Sequence, residues 1–100
     1  MFKHTFLDGI GATNDGSWVN TNKLTNMTIH VKGITNATVQ IRGSNATAKP
    51  ADTGHEIQIG TDITADTIRE VINVGWVKVM ISAWVGGTIY ALLDADWATG

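Results

Sequence analysis

WVKVMISAWVGGTIYALL, residues 76–93, is the most apolar and most strand-like stretch of the chain. Val77, Val79, Ile81 and Val85 are β-branched, which suits a pleated surface better than a helix. Gly86-Gly87 offers the two positive-φ residues of a two-residue primed turn, so the stretch is expected to fold as a β-hairpin about them. Its register would oppose Val85 to Thr88, Trp84 to Ile89, Ile81 to Leu92 and Met80 to Leu93. Directly opposed residues share a face. One face then carries Val77, Val79, Ile81, Ala83, Val85, Tyr90 and Leu92, the expected core. The other carries Trp76, Lys78, Met80, Ser82, Trp84, Ile89, Ala91 and Leu93. A hairpin with one wet face alternates cleanly between apolar and polar. This one does not, so the second face is expected to lie against a partner or another copy of the chain.

Upstream, residues 24–32 (LTNMTIHVK) place Met27, Ile29 and Val31 on one face and Thr28, His30 and Lys32 on the other, the period of a half-buried strand. Gly33–Asn36 reads as a turn, and residues 37–42 return with Ala37, Val39 and Ile41 inward, giving a second expected hairpin. Residues 2–7 (FKHTFL) read as a short strand or an extended arm that Phe2 and Phe6 could tie down. The Gly-rich residues 8–17 read as a loop that Trp18-Val19 closes. Residues 43–55 form the longest loop and carry the one proline. Glu56–Ile59 is a short strand. Residues 66–74 admit either a helix capped by Asp66 or a strand, and their β-branched content and Gly75 favour the strand. The expected organisation is an arm and loop over 1–23, a core over 24–93 and a tail over 94–100. With about six to eight short strands and frequent turns, the fold class is all-β, an antiparallel β-sandwich of immunoglobulin-like or jelly-roll-like type.

One hundred residues suffice for one core but not two. With 43% hydrophobic residues and a net charge of −2, disorder is not expected. The seven Lys and Arg are spread singly, so no clustered basic surface for nucleic acid is expected. The absence of Cys removes disulfides, thiolate metal sites and cysteine nucleophiles. The N-terminal MFKHTFLDGIG has no apolar h-region, and no apolar run approaches the ~20 residues of a membrane helix, so neither a secretory signal nor a membrane partner is expected.

No residue cluster announces a chemistry. His4, His30 and His55 lack second ligands at metal spacing and read as solitary histidines. Asp94 with Asp96, or Asp62 with Asp66, could pair their carboxylates on Ca²⁺, yet neither pair sits in a Gly-containing ligand loop. No Ser occupies a nucleophile elbow, and Gly9 and Gly11 do not precede a helix. Asn26, Asn36 and Asn45 each begin an Asn-x-Thr triplet, a pattern that Thr-rich strands and Asn-rich turns also produce. No catalytic, cofactor or metal residue is expected. The tryptophans are the remaining signal. Trp18 and Trp76 read as core-edge residues, while Trp84 and Trp97 read as exposed aromatics of the kind enriched at interfaces and sugar platforms.

From Gln40 the chain carries QIRGSN at 40–45, DITAD at 62–66, VGWVKVMIS at 74–82 and GGTIYALL at 86–93. In this order of turns and strands it resembles small β-sandwich structural proteins of tailed bacteriophages, including head decoration (cement) proteins. The likeness covers roughly residues 24–93. The loop at 46–55 departs from it, lacking the Asp-Gly-x-Trp of such proteins. The resemblance implies a non-enzymatic virion protein on the capsid exterior, in the host cytoplasm during assembly, with the major capsid protein or another virion protein as partner and self-association between copies. It offers no catalytic residues to carry over. The contact residues expected are Phe2, Phe6, Trp76, Met80, Trp84, Ile89, Leu93 and Trp97. On this reading a charged residue at position 84 would leave the subunit folded and abolish assembly. The alternative is a carbohydrate-binding or fibre-tip adhesion domain that holds a glycan through exposed Trp and the 44–55 loop.

Overall fold

The computed structural model describes residues 1–50 and 56–98. Its secondary structure is all β: β1 Phe2–Ile10, β2 Val19–Asn20, β3 Leu24–Ser44, β4 Ile57–Gln58, β5 Thr67–Val71 and β6 Trp76–Trp97. All six join one antiparallel sheet. β6 and β3 form its spine, paired from Leu24 opposite Trp97 to Ser44 opposite Trp76. β1 lies beside the second half of β6 and β5 beside the first half of β3. The other halves are flanked by β2 on β6 and β4 on β3.

Neither expected hairpin forms. β6 runs through Gly86-Gly87 and β3 runs through Gly33–Asn36 as continuous strands. The two glycine sites face each other across the ladder, Ile34 opposite Gly87 and Asn36 opposite Gly86, with register shifts on both sides. They are one corner in a double-stranded ribbon. A straight strand of 22 residues would span roughly 70 Å at ~3.3 Å per residue, but the molecule's longest extent is 43 Å. The ribbon therefore bends. Gly33 (φ 88°) and Gly87 (φ 116°) supply backbone angles that L side chains rarely adopt. A methyl group at Gly33 would also overlap the Thr88 carbonyl. Two side chains brace the bend. Asp66 Oδ1 accepts a hydrogen bond from the Ile34 N–H at 2.9 Å, and Trp84 Nε1 donates to the Gly87 carbonyl at 3.0 Å.

Both halves of the ribbon feed one core. Met27, Ile29, Val31, Ile89, Ala91 and Leu93 come from one half, and Val39, Ile41, Val77, Val79 and Ile81 from the other. The inward positions expected for residues 24–42 and 77–81 are thus correct. From Ala83 onward, past the register shift between Thr38 and Val39, the expected faces are reversed. Ile89, Ala91 and Leu93 are buried, while Tyr90 and Leu92 lie half-buried on the outer face and Ala83 and Val85 are exposed. The reversal follows from the missing turn: each half of β6 takes its register from β3, not from the other half. Of the two readings of residues 2–7 the strand holds and the arm does not: they form part of β1, whose Leu7 is buried. Residues 94–97 are not a tail but the end of β6. The segment 66–74 contains strand β5, as its composition favoured.

Candidate binding surface at the open end of the ribbon

Folding the ribbon in half brings its two ends together, opposite the glycine corner. Leu24 and Thr25 at the start of β3, Asn45 and Ala46 just past its end, Trp76 at the start of β6 and Ala98 just past its end line one cleft of about 670 Å³. Thr21 pegs the connecting segment into this end. Its N–H donates to the Gly75 carbonyl at 2.9 Å, its Oγ1 donates to the Val74 carbonyl at 2.8 Å, and its carbonyl accepts from the Leu24 N–H at 3.1 Å. The peg holds Asn20 and Asn22 at the cleft wall, facing Asn45 and Asn73. All four asparagines are exposed, and among the described residues no ionisable side chain lines the cleft. The cleft runs on into a smaller hollow of about 250 Å³ that shares Asn20, Asn22 and Leu24, is bordered by Lys23 and is closed by Phe2 and Trp97.

Beside it runs an aromatic ridge. Trp97 meets Phe2 edge-on at 5.3 Å, Phe2 stacks on His4 at 6.4 Å, and His4 meets Phe6 edge-on at 5.0 Å. Trp97 is 55% exposed, while Phe2 and Phe6 pack partly against the core. β1 pairs only with β6, so its other edge is open among the described residues.

The eight expected contact residues therefore scatter. Phe2, Phe6, Trp97 and Trp76 gather at or beside the open end. Trp76 is half-buried and donates from Nε1 to the Ala46 carbonyl at 3.1 Å. Met80 lies half-buried on the outer face, opposite Gln40. Trp84 sits at the corner and packs against the core, so its replacement is expected to loosen the bend, in place of leaving the subunit intact. Ile89 and Leu93 are sealed inside and have no surface to offer. Of the asparagines that line the cleft the sequence singled out only Asn45, in an Asn-x-Thr triplet, because nothing local shows that positions 20, 22, 45 and 73 converge.

The polar candidates resolve into structural roles. Asp94 meets Lys3 at 3.4 Å, and Asp96 accepts from Asn26 Nδ2 at 3.3 Å. Asp62 accepts from Gln58 Nε2 at 2.8 Å and Gln40 Nε2 at 3.0 Å, and with Arg42 nearby its carboxyl is held below the usual aspartate value. His30 lies outward between Leu92 and Ile68. Among the described residues no three His, Asp or Glu side chains gather where a metal could sit. His55 lies outside the described residues. On the outer face Lys78 is buried beneath Trp18, 5.0 Å from the ring centroid, and pairs with Glu56 at 3.1 Å.

In comparisons with known proteins, no family model matches the chain, and neither a curated protein nor a solved structure matches it.

Proposed function

We propose that the chain is a non-enzymatic virion structural protein that binds the outside of a tailed-phage capsid and stabilises it. The order of sequence motifs over residues 24–93, which resembles that of decoration proteins, supports this reading. The observation that carries it is the Phe2–Trp97 aromatic pair, whose Phe2 lies on β1, a strand with its second edge open among the described residues. An open strand edge is a template for pairing with another chain, and aromatic side chains beside it supply apolar area. At ~25 cal/mol per Å², a patch of a few hundred Å² contributes several kcal/mol per copy before association costs. Repetition over a lattice multiplies that contribution. In this reading the two halves of the ribbon act as the layers of a small sandwich, immunoglobulin-like or jelly-roll-like in outline. The major capsid protein, or a second copy, meets β1.

Gradient fractionation of particles from cells that make the chain tests this. The chain is expected in the particle band, and Trp97→Glu is expected to release it without lowering the melting temperature. A chain found wholly in the soluble fraction, with no particle contact, would overturn the reading.

A further inference from the structure

We propose that the cleft at the open end of the ribbon is a binding site for a neutral oligosaccharide. The inference rests on the cleft alone and stands or falls apart from particle binding.

Four of the chain's seven asparagines converge there, from three separate segments, in a cleft that no ionisable side chain lines among the described residues. Two of the amides are already oriented. Asn20 Oδ1 accepts from the Asn22 N–H at 3.0 Å, and Asn45 Oδ1 accepts from the Gly75 N–H at 3.3 Å. With each oxygen held by the backbone, each Nδ2 is left to donate outward, and Asn22 and Asn73 add groups that both donate and accept. Among the described residues a charged ligand would find no countercharge in the main cleft, and Lys23 borders only its extension. An apolar ligand would strip water from the amides and return no hydrogen bonds. Sugar hydroxyls, which donate and accept at once, match the amides group for group.

The shape agrees with the chemistry. A pyranose has an apolar C–H face as well as a polar rim, and Trp76 walls the main cleft while Trp97 closes its extension. The main cleft, about 670 Å³, falls in the range of roughly 300–1,000 Å³ typical of small-molecule sites. Its extension past Leu24 lengthens it into a groove, which favours a chain of sugars over a single ring.

The test is an array of neutral and sialylated oligosaccharides probed with the intact chain, followed by NMR titration with the strongest neutral binder. Saturable binding is expected, with shifts in the side-chain amides of Asn20, Asn22, Asn45 and Asn73 and in the Trp76 indole. Asn22→Ala with Asn73→Ala, both at exposed positions, is expected to weaken binding by about tenfold or more at unchanged melting temperature. A blank array, a preference for sialylated glycans, shifts confined to other surfaces, or affinity indifferent to both substitutions would each overturn the proposal.

Discussion

At the scale of single residues, Gly33 decides more than any side chain near it. It combines a positive φ with a backbone neighbour that leaves no room for a Cβ. Gly33→Ala is therefore expected to destabilise the fold by about 2–4 kcal/mol, measured by urea unfolding, since strain and overlap add. A cost under about 0.5 kcal/mol would mean that the corner is not strained. Asp62 makes a second prediction. Hydrogen bonds from Gln58 and Gln40, and then the charge of Arg42, favour its carboxylate in the folded state and lower its pKa from the ordinary value of 3.8. A group lowered in the folded state contributes stability that is present above its unfolded pKa and is lost as pH falls through the folded one. Its NMR titration midpoint is expected below 3.8, moving up toward it in Gln58→Ala. The acid limb of the melting-temperature profile is expected to flatten in Asp62→Asn.

At the scale of elements, β1 separates an arm from a strand. An arm could be removed without harm to the domain. β1, in contrast, covers the edge of β6 from Ala95 to Ile89 and places Leu7 in the core. Deleting residues 1–8 is expected to abolish cooperative unfolding by circular dichroism, and Leu7→Ala alone to cost about 2–4 kcal/mol. A truncated chain with an unchanged melting temperature would restore the arm. β5 is the opposite edge of the same half. Ile68 and Ile72 stand 64% and 65% exposed on and just beyond it, with Arg69 and Glu70 between them. Charges within a strand of this kind blunt edge-to-edge association.

At the scale of the whole molecule, the ribbon's ladder joins residues far apart in sequence, from Ser44 with Trp76 to Leu24 with Trp97. Loop closure must be completed before any of these contacts stabilises the chain, so folding in milliseconds to seconds is expected by stopped-flow Trp fluorescence. Full recovery of amplitude in microseconds would contradict a topology of this kind. The same topology creates the cleft. No segment carries it alone, because its walls come from both ends of both long strands and from the peg at Thr21.

The sequence by itself determined that the chain is all-β, and which side chains of residues 24–42 and 77–81 face inward. Alternation at period two is a local property, and burial rewards it wherever the strand pairs. It could not determine what Gly33 and Gly86-Gly87 do. A glycine pair allows a tight reversal, and equally a bent continuation, which here uses positive φ at Gly87 and not at Gly86. The choice lies with the partner. Had the two flanks of Gly86-Gly87 paired with each other, Ile89 and Leu93 would have shared the face of Trp84 and Met80. Because both flanks pair with β3 instead, Ile89 and Leu93 are buried, the ribbon bends there, and its ends meet in the amide-lined cleft. Only the tertiary structure decided that, because pairing energy between partners as far apart in the chain as Leu24 and Trp97 leaves no mark on either segment alone.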